Sequence, residues 1–367
     1  MIKPLTSLRF FAALAVIIEH LGTDLNIGGP GVIFFFVLSG FIIAYTYANR
    51  IRQITKESLT KMYAIRIGRI FPLHLFVLAL CIPFAFMNGD PPKLYVLLTN
   101  ALLVQSWYPS HDDFFAFNSV AWTLSIEWFF YLSFPFVLIP LRNLGAFTTP
   151  AKCLAFSAVA LAAILLVNGI FNHGGEFLNT TWWAMKISPV NVLIFFVGSG
   201  IGMWRLCIGD QGKRVMWRDS GLELLAILSP VAAYKLFNTW GVETPLGIGY
   251  IGSYVPFFTF MVLVFSHTNG LISKALSNNV LVRLGEISFA IYMSHQVILN
   301  IVNIHIATVI GAGASLPVKI LMFAVILLIS ELLYRFIENP ARLAVKERMS
   351  RNKVDDSGQM PQAQQAK

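Results

Sequence analysis

The chain has 367 residues, 56% hydrophobic and only 12% charged, against about 25% charged in an ordinary soluble domain. With a mean hydropathy of +0.69, this composition excludes an ordinary soluble domain and points to lipid as the solvent. The formal net charge of +9 raises nucleic-acid binding, but the Lys and Arg residues sit between apolar runs, so they are read as loop anchors and no nucleic-acid partner is expected.

In chain order, apolar segments long enough to cross a bilayer lie near 7–23, 31–48, 70–88, 119–141, 151–171, 189–206, 221–237, 249–267, 284–307 and 316–337. A span needs about 20 residues. Segment 94–107, "LYVLLTNALLVQSW", is too short and is expected to be re-entrant or interfacial. Backbone hydrogen bonding in lipid demands helices or closed barrels, and these runs are too long and too continuously apolar for barrel strands.

Loop charge sets the topology. The loop 49–69 holds Arg50, Arg52, Lys56, Lys61, Arg66 and Arg69, and the loop after the sixth span holds Arg205, Lys213, Arg214 and Arg218. The C-terminal tail holds Arg342, Lys346, Arg348, Arg351 and Lys353. The loops near 24–30, 238–248 and 308–315 contain no Lys or Arg, and 171–188 has only Lys186. The positive-inside rule puts the basic loops in the cytoplasm. The expected fold is an all-α polytopic membrane helix bundle of about ten transmembrane helices, both termini cytoplasmic. Residues 1–342 form the membrane domain, and 343–367 read as a basic, disordered cytoplasmic tail.

The first span, "SLRFFAALAVIIEHLG" at 7–22, carries Arg9, Glu19 and His20. It lacks a small-x-small cleavage site and reads as retained. Arg9 and His20 are eleven residues apart. On a helix they share a face and stand about 16 Å apart along the axis. Glu19 points about 100° away. A charge buried in a span costs a few kcal/mol, which favours an interior cavity. Arg9 as a snorkelling anchor and His20 as a helix-packing contact remain open. Histidine is the usual general base near neutral pH, and a buried carboxylate would hold its tautomer. "SVAWTLSIEWFFYLSFP" at 119–135 supplies Glu127, read as orienting His20 or the acceptor, or as a satisfied helix–helix contact. Ser125 faces elsewhere, and no nucleophile elbow surrounds it.

These segments together resemble the integral-membrane acyltransferase family 3 over residues 4–342. The resemblance rests on Arg9 to His20 in "LTSLRFFAALAVIIEH", "FFFVLSGFII" at 34–43, "RIGRIFPLH" at 66–74, "WTLSIEWFFYLSFP" with Glu127, "LGEISFAIYMSHQVIL" at 284–299 and "IENPAR" at 337–342, in that order. It implies a ten-helix core and transfer of an acyl group, commonly acetyl, from cytoplasmic acyl-CoA to a carbohydrate or other hydroxyl acceptor. It makes His20 essential, with Arg9 its companion. The form expected is the stand-alone one, without an appended extracytoplasmic hydrolase-like domain.

Within that expectation, Arg66 and Arg69 share a helix face at i,i+3, and guanidinium forks match phosphate oxygens. They are read as the CoA phosphate site, with an inner-face anchor as the alternative. Lys61 and Arg52 are weaker candidates. Ser39 and Gly40 in "VLSGF" let a helix backbone or an acyl-pantetheine arm approach closely. Ser288, Tyr292 and His295 form a polar ridge that lines a cavity or bonds between helices. His111, Asp112 and Asp113 read as a solvated outer-loop cluster, and "NTT" at 179–181 as a sequon meaningful only in a secretory-pathway protein. Cys81, Cys153 and Cys207 read as small hydrophobes without a disulfide framework. No metal and no bound cofactor are expected, and the resemblance implies acyl-CoA, commonly acetyl-CoA, as co-substrate. The expected acceptor is a bacterial exopolysaccharide, a lipopolysaccharide unit or a lipid-linked glycan. The expected location is the bacterial cytoplasmic (inner) membrane, multi-pass, in contact with membrane lipids. The rival readings are a transporter and a non-catalytic component that presents glycans.

Overall fold

The computed structural model describes residues 2–51, 53–87, 93–108, 110–173, 189–209, 215–239, 250–267, 269–305 and 315–357. Arg52, Lys186, Lys213, Arg214 and the sequon at 179–181 lie outside the described residues. Each predicted span falls on a helix. The elements are Lys3–His20 (α1), Gly28–Tyr47 (α2), Lys56–Met87 (α3), Leu94–Ala101 (α4), His111–Phe114 (α5), Trp122–Asn143 (α6) and Pro150–His173 (α7). They continue with Pro189–Ile208 (α8), Met216–Thr239 (α9), Tyr250–His267 (α10), Leu271–Leu276 (α11), Asn279–Glu286 (α12), Ser288–His305 (α13), Leu316–Leu333 (α14) and Asn339–Ser357 (α15). There is no strand among the described residues.

Seven of the described helices are long and apolar enough to cross a bilayer. Of the three remaining predicted spans, α1 has its apolar run interrupted by Lys3, Arg9 and Glu19, and α10 and α13 are shorter apolar helices. The protein is thus an all-α polytopic membrane bundle. The 94–107 segment contributes the eight-residue α4 and a short turn at Gln105–Trp107. At 1.5 Å per residue α4 is about 12 Å long, far too short to cross.

The bundle's tightest seam joins α2 to α8. A Cβ on Gly40 would collide with the Phe195 carbonyl, and one on Gly198 with the Val37 carbonyl. Two glycines therefore let two backbones touch. Gly40, expected among the acyl-CoA contacts, is instead buried in this seam, and the packing alternative describes it. α7 lies on the far side of α8, where Ser157 Oγ donates to the Val197 carbonyl at 2.9 Å.

Helix α3 starts fourteen residues before the predicted span. Thr55 caps it: its Oγ1 accepts from the Ser58 amide at 3.2 Å, and its own amide donates to Ser58 Oγ at 3.1 Å. This reciprocal cap fixes the helix start, and Glu57 in the first turn complements the dipole. Arg66 and Arg69 therefore sit inside a helix and not in a loop.

The other end departs further from expectation. Residues 343–357, read as part of a disordered tail, are helical in α15. Polar composition does not forbid a helix when the residues are good helix formers, and "LAVKERM" at 343–349 is such a run. Val345 packs where a Cβ on Gly68 of α3 would go, with its Cγ2 only 2.7 Å from that point. Between α14 and α15, Tyr334–Glu338 makes one π turn, a feature frequent at functional sites. Cys153 and Cys207, distant in sequence, come within 3.6 Å as free thiols.

Candidate active site

Two cavities meet inside the bundle. The first is a narrow cleft of about 60 Å³ that Arg9, Ser39, Arg66, Arg69, Glu127 and Tyr131 help to line. The second is wider, about 550 Å³, and takes in Glu19, His20, Asn26, Phe115, Trp122 and Asn191. Val32, Phe36 and Tyr292 line both. Those three residues form a shared wall between an arginine-lined cleft and a histidine-lined cavity.

The cleft is built from the second turn of α1, the middle of α2, the third and fourth turns of α3, the first half of α6 and the start of α13. Arg66 is 6% exposed. Its guanidinium carbon lies 5.1 Å from the Tyr47 ring centre and 5.0 Å from that of Tyr131, a cation held between two aromatic faces. Its Nε is buried with no hydrogen-bond partner. Glu127 accepts from Ser39 Oγ at 2.9 Å and from the Tyr131 hydroxyl on the same oxygen. Glu127 and Tyr131 are one helical turn apart, the spacing that brings side chains together.

The charge balance of the cleft favours an anion. Three guanidiniums face one lining carboxylate. A second carboxylate, Glu338, stands in the π turn within electrostatic range of Arg69 and Arg9, 2% exposed and with Oε2 unpartnered. Three guanidiniums against one lining carboxylate leave the cleft positively charged in a water-poor site, where charge-assisted hydrogen bonds to phosphate are strong.

At the other end His20 closes α1. Its Nδ1 lies 2.8 Å from Nε2 of His295 on α13. Glu19 turns away from it and accepts from the Gly28 amide at 2.6 Å, capping α2. Tyr292 spans the partition: its hydroxyl accepts from Thr123 Oγ1 at 3.1 Å. A ring nitrogen, an apolar slot and an arginine cleft on one line are the parts an acyl transfer between a phosphate-bearing donor and a hydroxyl would use.

Comparison with known proteins bears on that reading. The acyltransferase 3 family model, described as an acyltransferase domain, matches residues 3–335. The chain belongs to the acyltransferase 3 family. The acyltransferase is 31% identical to the acyltransferase MdmB of Streptomyces mycarofaciens, over 92% of this chain and 90% of that one. It is 25% identical to the O-acetyltransferase OatA of Staphylococcus aureus (strain NCTC 8325 / PS 47), over 92% of this chain but only 57% of OatA. No solved structure matches. The protein is a multi-pass membrane acyltransferase, which sets aside the transporter and glycan-presenting readings.

The structure gathers the predicted residues of the acyltransferase into two groups. Arg9, Arg66, Arg69, Glu127 and Ser39 share the cleft, and His20 lines the wider cavity. Glu127 is not hydrogen-bonded to His20, as one reading of it expected; the ring it was meant to hold is bonded to His295 instead. Lys61 lies outside the cleft, in a separate polar pocket with Arg50 and Thr55. Ser125 is fully buried and accepts from the Ser106 amide at 3.3 Å. Tyr47 and Tyr131 carry no sequence signal of a site beyond Tyr131 standing four residues after Glu127. His295 was visible as part of a ridge with Ser288 and Tyr292, but its partner was not.

Proposed function

We propose that the enzyme moves an acyl group, acetyl by family habit, from cytoplasmic acyl-CoA to a hydroxyl of a carbohydrate in the bacterial cytoplasmic membrane. The acceptor class is a bacterial exopolysaccharide, a lipopolysaccharide unit or a lipid-linked glycan. The observation that carries this reading is the pair of adjoining cavities, guanidinium-lined at one end and imidazole-lined at the other. Arg66 and Arg69 hold the CoA phosphates, and the pantetheine arm passes Ser39 toward the partition. Trp122, Phe36 and Phe115 offer aromatic faces to a sugar ring while Glu19, Asn26 and Asn191 meet its hydroxyls.

The chemistry follows from these positions. His20 takes the proton of the acceptor hydroxyl as its oxygen attacks the thioester carbonyl carbon. The tetrahedral oxyanion forms beside His20, while Arg9, about 16 Å away along α1, joins Arg66 and Arg69 in holding the donor. The oxyanion collapses with cleavage of the C–S bond. The thiolate of CoA leaves and recovers the proton from the His20 imidazolium. Glu127, tied to Ser39 and Tyr131, keeps Tyr131 against Arg66.

The test is acetyl transfer by the purified protein in nanodiscs, with acetyl-CoA and lipid-linked glycan extracted from the host membrane. His20→Ala removes turnover under this reading. Full turnover in that variant would remove His20 from the mechanism.

A further inference from the structure

The neighbour of His20 fixes which of its nitrogens can act. His295 is fully buried. Its Nδ1 lies 2.7 Å from the Tyr292 carbonyl oxygen and 3.3 Å from that of Ile291. Carbonyl oxygens only accept, so this Nδ1 carries a proton. A neutral imidazole holds one proton, and Nε2 of His295 is then a lone pair. A second proton would make a buried cation with no carboxylate hydrogen-bonded to it among the described residues, which burial strongly disfavours. The 2.8 Å contact therefore runs from His20 Nδ1–H to His295 Nε2. Neutral His20 must keep its own lone pair on Nε2, the nitrogen His295 does not engage.

The support of His295 is rigid. Met293 accepts from Asn118 Nδ2 at 2.9 Å, Ser294 Oγ pairs with Ser330 Oγ at 3.0 Å, and Tyr292 is tied to Thr123. The rings of His20 and His295 stand 5.1 Å apart between centres, with planes 21° from parallel.

We infer that His295 is a positioning residue that locks His20 in the Nδ1–H tautomer and leaves Nε2 as the proton acceptor. This rests on the reading of His20 as the general base. Where a serine hydrolase uses a carboxylate for the task, this site uses a second, neutral ring. That choice has a consequence for the reaction. A carboxylate would stabilise the imidazolium by charge, whereas a neutral acceptor orients the ring without holding its proton. The proton is handed readily to the departing thiolate.

The experiment is nitrogen NMR of the full-length protein in nanodiscs, labelled with 15N in the histidine rings, with His20→Ala used to assign the His20 signals. Alongside it, CoA release from acetyl-CoA is followed with host lipid-linked glycan as acceptor. The wild type is expected to show His20 protonated on Nδ1 and bare on Nε2. His295→Leu should return His20 to mixed tautomers and lower kcat on the order of 100-fold, the scale of losing the group that orients a working imidazole. KM for acetyl-CoA should stay within about twofold, because the arginine cleft is untouched. His295→Gln, which places a carbonyl oxygen where the lone pair was, should restore the Nδ1–H form and most of the turnover. A wild-type His20 protonated on Nε2 overturns the inference without any variant needing to fold. So does a His295→Leu protein with unchanged tautomer and kcat. Turnover in His20→Ala would instead sink the general-base reading alone, since the spectrum reports on the His295 contact independently.

Discussion

At the scale of single residues, the proposed reaction separates a group that does chemistry, His20, from groups that hold a cosubstrate, Arg66 and Arg69. Replacing His20 by alanine is expected to lower kcat by about 10²–10⁴, the usual contribution of one general base, with little change in KM for acyl-CoA. Steady-state transfer kinetics check this. Arg66 should behave in the opposite way. Lysine keeps the charge but loses the flat fork that lies between Tyr47 and Tyr131. Arg66→Lys is expected to raise KM for acyl-CoA on the order of tenfold, about 1.4 kcal/mol, and to spare kcat more than it spares KM. A wild-type KM in that variant would detach Arg66 from the donor. Much of this was legible beforehand. The spacing of Arg9 and His20, and of Arg66 and Arg69, is helical geometry, and the helices follow from hydrophobic length. The partner of His20 was not legible, because 275 positions separate it from His295 and no periodicity reports a contact between two helices.

Helices rather than residues explain the largest differences between expectation and fold. Hydropathy locates the middle of a span well and its ends poorly, since polar residues are as comfortable in a helix beyond the lipid as in a loop. The Thr55–Ser58 cap carries α3 well past its apolar run, which is why Arg66 is interior. The same blindness made residues 343–357 look disordered, although Val345 rests on α3 at Gly68. Ending the chain at Arg342 is expected to lower the melting temperature measured in nanodiscs, by a loss of about 1–2 kcal/mol. At the α2–α8 seam, Gly198→Val is expected to cost about 1–3 kcal/mol or more by overpacking, because the added atoms meet the Val37 backbone rather than a side chain that can turn aside. A variant that melts with the wild type would mean that the seam opens easily. Gly40 was ambiguous in sequence for a physical reason: small residues serve ligand approach and helix approach equally well.

Across the whole molecule, the proposed reaction has donor and acceptor enter from opposite sides of the wall that the two cavities share. The positive-inside rule makes a cytoplasmic arginine end the expected orientation. Reporter fusions at both termini are expected to report a cytoplasmic location; a periplasmic C-terminus would break the ten-span topology. A strain lacking the protein is expected to lose an acetyl mass from a surface glycan by mass spectrometry, and an unchanged glycan profile would redirect the search for the acceptor. The positions of the apolar helices were readable because apolar length is a property of short stretches. The division of the interior into two cavities was not, because it depends on where Val32, Phe36 and Tyr292 meet.

Those three side chains carry a burden beyond catalysis. An energised bacterial membrane holds a steep proton gradient, worth about 2.3 kcal/mol per charge for each 100 mV. A water-filled passage with an imidazole at one mouth would short-circuit it. In the membrane proposed for the enzyme, the shared wall of Val32, Phe36 and Tyr292 would then insulate the cell as well as divide the site. Trimming Phe36 to alanine should make cells bleed voltage, seen with a potential-sensitive dye.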